Sequence, residues 1–128
     1  MGRRREPENL LLVLGVFRDH GKEDVSVSEL LESIRCASES LGWGYEFSEL
    51  VPGYSGDVFE DLEELRKGGY VKRYRLSLGV PENYVSLTPV GRKRALDLLA
   101  SAGEETVRTV RSCVLAAVRN YENWHRVL

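Results

Sequence analysis

The sequence predicts a mainly α-helical fold with one small β-hairpin and a long C-terminal helix. Residues 57–67 carry apolar side chains at spacings of three and four, which predicts an amphipathic helix. Those side chains are Val58, Phe59, Leu62 and Leu65. Two β-rich runs follow at residues 70–78 and 84–88, separated by a turn-forming segment, and together they predict a hairpin. Residues 104–128 keep a heptad spacing, which is typical of a helix that packs on another helix.

A tight stop joins the amphipathic helix to the hairpin. Gly68 and Gly69 follow the helical pattern, and glycine commonly supplies the left-handed residue that ends a helix. A helix, a glycine stop and a hairpin in this order predict a winged helix-turn-helix. In that fold, residues 54–67 form the recognition helix and residues 70–88 form the wing.

Capping residues mark two further helices. Ser26 and Glu29 have the spacing of a capping box, so a helix is expected over residues 27–41, with Glu29 on its outer surface. Thr88 is suited to be the N-cap of a later helix, and Pro89 is suited to its first position.

The heptad pattern in the last helix predicts a contact surface. Its members are spaced alternately three and four residues apart. They are Val107, Val110, Val114, Ala117, Tyr121, Trp124 and Leu128. Such a surface requires a second helix, either from the same chain or from a second copy, and we expect a homodimer. The predicted organisation is a basic flexible arm at residues 1–6, a winged-helix domain at 7–102 and a C-terminal dimerisation helix at 104–128.

Length and composition indicate one globular domain. The chain has 128 residues, of which 42% are hydrophobic and 30% charged. No apolar run approaches the length of a membrane span, and residues 1–8 lack the apolar core of a signal peptide, so we expect a cytoplasmic protein without membrane contact. Cys36 and Cys113 are interpreted as buried free thiols, because a disulfide is unusual in a cytosol unless the source is a hyperthermophile.

No catalytic pattern is readable in the chain. The sequence lacks a phosphate-binding glycine motif, a nucleophile paired with a base, and cysteines and histidines at metal-ligand spacing. The carboxylate pairs Asp57/Asp61 and Glu60/Glu64 have helical spacing and are expected on a solvent-facing surface. We therefore predict that the protein is not an enzyme and that it has no cofactor and no metal site.

The central part of the chain resembles a known superfamily of regulators. It reads GYSGDVFEDLEELRKGGYVKRY and, after the hairpin turn, YVSLTPVGRKRALDLL. This pattern resembles the winged-helix core of PadR- and MarR-type transcriptional regulators and related archaeal proteins, over roughly residues 25–99. The resemblance implies double-stranded DNA as the partner. The residues that it implies as DNA contacts are Tyr54, Ser55, Gly56, Lys67, Lys72, Arg73, Arg75, Arg92, Lys93 and Arg94.

The charge distribution raises a second possibility. Residues 1–64 hold six bases against fifteen acids, a net charge of −9, whereas residues 65–128 hold twelve bases against five acids, a net charge of +7. Attraction to phosphate must therefore come mainly from the second half. On the recognition helix, four acids are expected to face outward: Asp57, Glu60, Glu63 and Glu64. The alternative to DNA binding is a protein-interaction module whose acidic helix face binds a basic partner.

Overall fold

The computed structural model describes residues 5–74 and 83–127, with side chains up to residue 123. Within these ranges the chain forms five helices and one small antiparallel sheet. The elements are α1 (Glu8–Asp19), β1 (Val25–Ser26), α2 (Val27–Leu41), α3 (Gly56–Lys67), β2 (Val71–Tyr74), β3 (Tyr84–Leu87), α4 (Pro89–Ser101) and α5 (Glu104–Val127). The prediction of a mainly α fold with a small β component is confirmed.

The sheet has a third strand that the sequence pattern did not reveal. Strand β1 pairs with β3, and β3 pairs with β2, so that β3 lies in the middle. Strand β1 has only two residues, Val25 and Ser26, which is too short for an alternating pattern to be recognised. Because β1 lies between α1 and α2 in the chain and pairs with β3, it connects the sheet to these two helices.

The start of α2 confirms the predicted capping box. The Ser26 hydroxyl accepts a hydrogen bond from the Glu29 backbone N–H at 3.1 Å, and the Glu29 carboxylate accepts from the Ser26 backbone N–H at 3.2 Å. Glu29 is only 1% exposed, and its carboxylate also lies 2.5 Å from the Lys22 ammonium group. The expectation that Glu29 lies on the outer surface was therefore wrong, because the carboxylate is held inside by the cap and by Lys22.

A close backbone contact fixes the start of α4 against the end of α3. Thr88 caps α4 by accepting from the Gly91 N–H at 3.0 Å, and its hydroxyl donates to the Gly69 carbonyl at 2.6 Å. A Cβ atom at position 91 would lie 1.9 Å from the carbonyl oxygen of Tyr70, so only glycine fits there. Thr88 and Gly91 thus hold the hairpin base, the glycine stop and α4 together.

Helix α1 lies at the centre of the hydrophobic core. Every residue from 10 to 17 is buried, because α1 packs against α2, α4 and α5. Gly15 permits the close approach of α4, since a Cβ there would lie 3.1 Å from Leu99 Cδ1. An almost continuously apolar helix is the expected sequence for such a central position.

Helix α5 packs along α2 of the same chain. Val110, Val114 and Ala117 are each 0% exposed and belong to the common core. For these three residues the predicted dimer contact was wrong, because the chain itself covers them. Val107 and Tyr121 are half-buried, and the Tyr121 hydroxyl lies 3.3 Å from that of Tyr84. The Trp124 side chain and Leu128 lie outside the described residues.

A disulfide reinforces the packing of α5 on α2. It joins Cys36 to Cys113 across 77 positions of sequence. The interpretation of both cysteines as free thiols was therefore wrong. The spacing of two isolated cysteines does not reveal that the helices bring them together.

Candidate nucleic-acid interface

Three side chains form a continuous row between the start of α3 and strand β2. The rings of Tyr54 and Phe59 stack with their centroids 5.5 Å apart, and the guanidinium carbon of Arg73 lies 5.0 Å from the Phe59 centroid. Tyr54 is 45% exposed, and Phe59 is half-buried. Exposed aromatic faces stack on bases, and guanidinium groups bind phosphates, so this Tyr54–Phe59–Arg73 row has the chemistry of a nucleic-acid contact.

An open cleft adjoins the row. It has a volume of about 550 Å³ and is lined by Leu31 and Arg35 of α2 together with Tyr54 and Phe59. Both aromatic residues therefore line a surface that opens to solvent. The ring of Phe59 was expected to belong to the buried stripe of α3, but its position beside Val58 turns it toward this cleft and toward β2.

Ser55 has a structural position. Its hydroxyl donates to the Glu46 carbonyl at 2.6 Å and accepts from the Val58 N–H at 3.3 Å, which makes it the N-cap of α3. The side chain is 0% exposed. The expectation of a DNA contact from the Ser55 side chain is therefore corrected. Gly56 is exposed, and its Cα hydrogens face open space at the tip of the helix.

The two described bases of the predicted wing, Lys72 and Arg73, lie on opposite faces of the β2–β3 ladder. Lys72 is opposite Ser86, whereas Arg73 is opposite the buried Val85. Successive residues of a strand alternate in direction, so only Arg73 shares the side of Phe59. Lys72 instead lines a separate cavity of about 300 Å³ with Arg18 and Arg92. Arg75 lies outside the described residues.

The three bases at the start of α4 also diverge. Arg92 lies 3.4 Å from the Glu23 carboxylate, and Arg94 forms an ion pair with Glu8 of α1. Lys93 is exposed between them. The resemblance implied that all three contact DNA, but Arg92 and Arg94 pair with acids of the same chain. They therefore do not form one basic strip.

The C-terminal end of α3 presents a mixed surface. Arg66 binds the Glu63 carboxylate with two hydrogen bonds, at 2.9 and 2.6 Å, and these lower the pKa of Glu63 and raise that of Arg66. Lys67 is exposed beside this pair. Glu63 is thus compensated locally, and Lys67 keeps its predicted accessible position.

The acidic flank of α3 is partly covered by the N-terminal arm. The Arg5 guanidinium lies 3.0 Å from the Asp57 carboxylate, 3.7 Å from that of Glu60 and 4.0 Å from that of Asp61. Asp57 also accepts from the Glu46 backbone N–H at 2.9 Å. The outward positions of Glu60 and Glu64 agree with the prediction, whereas Asp57 is half-buried. Arg5 therefore reduces the negative charge that this helix presents.

A buried pair lies beneath that flank. The Tyr45 hydroxyl donates to the Asp61 carboxylate at 2.7 Å, and Asp61 is 4% exposed. Burial raises the pKa of Asp61 above its ordinary value, although the hydrogen bond from Tyr45 and the charge of Arg5 act in the opposite direction. Burial and the neighbouring carboxylate raise the pKa of Tyr45. Asp61 was expected on a solvent-facing surface; it lies inside because Tyr45 supplies its hydrogen-bond donor.

Two residues of this region escaped the sequence analysis. Phe59 fits the apolar spacing of α3, but that spacing does not distinguish a position inside the core from a half-exposed position at its edge. Arg5 belongs to an arm that we expected to be flexible. Its guanidinium group nevertheless lies within 4.0 Å of three carboxylates of α3, those of Asp57, Glu60 and Asp61. The sequence offered one indication of this contact: acids at positions 57, 60 and 61, and a run of three arginines at positions 3–5 that could pair with them.

Comparisons with known proteins give no assignment. No family model matches the chain, and no match is found among curated proteins or solved structures. In the part of the chain that the structure describes, no helix has the length and apolar character needed to cross a membrane. Among the same residues, no three histidine, cysteine or acidic side chains are grouped to hold a metal ion.

Proposed function

We propose that this protein is a winged-helix transcriptional regulator that binds double-stranded DNA. The order helix, strand, helix, helix, strand, strand supports this proposal, together with a sheet in which β3 pairs with both β1 and β2. In a winged helix, the third helix and the hairpin lie side by side to meet DNA. Here the Tyr54–Phe59–Arg73 row joins α3 to β2, and this single observation carries the proposal.

The proposed contact surface is smaller than the set that the resemblance implied. It contains the row itself, the exposed backbone of Gly56 at the tip of α3, and Lys67 at the far end of that helix. Arg73 provides a phosphate contact, and the two rings provide apolar contact with sugars and with thymine methyl groups. Lys72 lies on the opposite face of the β2–β3 ladder and is therefore not part of this surface. Lys93 is exposed on α4, and Arg92 and Arg94 keep their intramolecular ion pairs.

The Arg5 contacts reduce the main objection to this function. Four outward carboxylates on α3 would repel a phosphate backbone. Asp57 is paired with Arg5 and Glu63 with Arg66, which leaves Glu60 and Glu64 as the exposed acids. Both are one turn or more from the tip of α3, so the tip is the part of the helix that approaches DNA.

A titration of labelled duplex DNA at several salt concentrations tests the proposal. We compare the wild type with Arg73→Ala and with Arg94→Ala, which removes the same charge from an intramolecular pair. The slope of log K against log salt concentration should fall by about 0.9 for Arg73→Ala, the value for one lost phosphate contact, and should be unchanged for Arg94→Ala. A wild type that does not bind duplex DNA at low salt would sink the proposal.

The second candidate function is a protein-interaction module. It is favoured by the exposed carboxylates of Glu60 and Glu64, which form one side of a surface cleft of about 550 Å³ beside Arg5. Replacing both glutamates with lysine separates the two functions. If the protein binds DNA, the double variant should bind duplex more tightly, because two repulsive charges become attractive. If the face instead binds a basic protein, neither the wild type nor the double variant should bind duplex DNA. The double variant should then no longer bind a purified protein partner that the wild type binds.

Homodimerisation and a cytoplasmic location remain parts of the proposal. A dimer must use a surface other than Val110, Val114 and Ala117, which the chain covers itself. Sedimentation equilibrium should give twice the mass of the chain, and a mass of 14.5 kDa would contradict the dimer. The Cys36–Cys113 disulfide in a cytoplasmic protein fits a hyperthermophilic source.

A further inference from the structure

Most arginines in the described part of the chain have a partner within it. Six form ion pairs with carboxylates, and Arg73 stacks on Phe59. The six are Arg5, Arg18, Arg35, Arg66, Arg92 and Arg94. Three arginines of α5 differ, because no ion pair or ring contact joins them to another described residue: Arg108, Arg111 and Arg119. Arg73 keeps its charge, and the other described arginine side chains without an ion pair all lie on α5.

These three arginines share the outer face of α5. At 100° per residue, Arg108 and Arg119 point within about 20° of each other, and Arg111 lies about 60° to one side. All three are exposed, while the opposite face of the helix is buried against α2. The distance along the helix from Arg108 to Arg119 is about 16 Å, from the rise per residue.

The segment that carries these arginines has no negative charge of its own. Residues 106–121 contain no aspartate or glutamate; Glu104 and Glu105 precede the segment, and Glu122 follows it. The exposed residues among the arginines include Ser112 and Ala116, which are small, and Leu115, which is 44% exposed. A regular polyanion therefore meets no carboxylate of this segment itself. A neighbouring carboxylate belongs to Glu32 of α2, which accepts a hydrogen bond from the Asn120 amide.

The charge pattern favours nucleic acid over a second copy of the chain as the occupant. A strip of about 16 Å matches about five phosphates of one strand at 3.4 Å of axial rise each. A symmetric contact of this face with the same face of a second copy would bring arginines together, because residues 106–121 hold no acid to pair with them. Arginine also binds phosphate through several donors in a fixed plane.

We propose that the outer face of α5, defined by Arg108, Arg111 and Arg119, is a second nucleic-acid surface that binds backbone phosphates without reading sequence. It rests on the proposed function only in taking nucleic acid as the ligand. The α3–β2 surface then selects the site, and the α5 face supplies salt-dependent affinity. This division explains why the net charge of +7 in the second half of the chain is not concentrated in the hairpin region.

The test measures binding of a labelled duplex of random sequence as a function of salt. The variants are the triple change Arg108→Ala, Arg111→Ala and Arg119→Ala, the same triple change to lysine, Arg73→Ala, and Arg94→Ala as the charge-matched single control. The alanine triple should lower the slope of log K against log salt concentration by about 2.7, and the lysine triple should restore most of it. Circular dichroism confirms that each variant is folded.

The outcomes separate this inference from the proposed function. A normal slope for the alanine triple, with a reduced slope for Arg73→Ala, overturns the inference and leaves the proposed function intact. A reduced slope for the triple alone supports the inference and counts against the α3–β2 surface. Wild-type protein that binds no duplex at low salt overturns both. A triple variant that loses dimer mass while keeping its slope assigns the face to a second copy, which also overturns the inference.

Discussion

The guanidinium carbon of Arg73 lies 5.0 Å from the centre of the Phe59 ring, and this contact connects strand β2 to helix α3. The same Phe59 ring also stacks on Tyr54. Such a contact contributes about 0.5–1 kcal/mol at an exposed site and orients the guanidinium. The arrangement therefore positions one basic group beside two accessible rings.

Phe59→Leu should weaken duplex binding about threefold, as expected for the loss of a cation–π contact at an exposed site, while the chain stays folded. The side chain is half-buried, so leucine keeps much of its packing, whereas the ring that orients Arg73 is lost. The matched control is Phe47→Leu. It removes the ring of another arginine–phenylalanine contact, in which Arg35 lies over Phe47. Fluorescence anisotropy with labelled duplex gives both affinities. Equal losses for the two variants would count against a specific role of Phe59.

Gly91→Ala should lower the free energy of unfolding by about 3 kcal/mol, the upper end of the usual effect of overpacking. The added methyl group would lie 1.9 Å from the Tyr70 carbonyl oxygen, so the backbone must move. Gly103→Ala is the control, because a Cβ at Gly103 meets no atom within 4 Å. Urea unfolding should place the control within about 0.5 kcal/mol of the wild type. A Gly91→Ala protein of normal stability would show that α4 does not contact Tyr70 in this way.

Replacing both cysteines with alanine should lower the free energy of unfolding by about 4 kcal/mol. The disulfide closes a loop across 77 positions, and the chain-entropy treatment gives this magnitude for such a loop. Denatured wild type should expose no free thiol to an alkylating reagent, and reductant should destabilise it but leave the alanine variant unaffected. Detection of two free thiols per wild-type chain would contradict the disulfide.

The buried Asp61 should make stability depend on pH in a defined direction. Its pKa is raised in the folded protein, so the folded state holds the proton more tightly than the unfolded chain does. The resulting stabilisation is fully present below the ordinary pKa of 3.8 and is lost as the pH rises through the folded value. Asp61→Asn, which keeps an acceptor for Tyr45 but does not titrate, should therefore gain stability relative to the wild type as the pH rises through this window. Chemical unfolding at a series of pH values measures the difference, and a difference that does not vary would refute the prediction.

Local signals in the sequence predicted the elements well. Ser26 with Glu29 caps α2 and Thr88 caps α4 through bonds within a few residues, so their roles are readable without the tertiary structure. The spacing of α5 predicted that it packs on a helix, but a heptad pattern is the same for a helix of its own chain and for one of a second copy. The tertiary packing decided in favour of α2.

The composition of the site was less predictable. Neighbouring bases such as Lys72 and Arg73, or Arg92 and Arg94, appear as one cluster in sequence. Strand alternation and distant carboxylates separate them, because Glu8 and Glu23 are far from α4 along the chain. The burial of Asp61 likewise depends on Tyr45, sixteen residues away. Pairings over such separations are set by the fold and leave no local pattern.

The most direct test of the central claim is the amide NMR spectrum of the protein during titration with duplex DNA. We expect the signals of Tyr54, Gly56, Phe59 and Arg73 to shift together and to saturate at one stoichiometry. Signals of Glu60 and Glu64, on the acidic flank, should move less. Shifts that leave the Tyr54–Phe59–Arg73 row unchanged, or a spectrum that does not respond to duplex, would contradict a winged helix that binds DNA through α3 and β2.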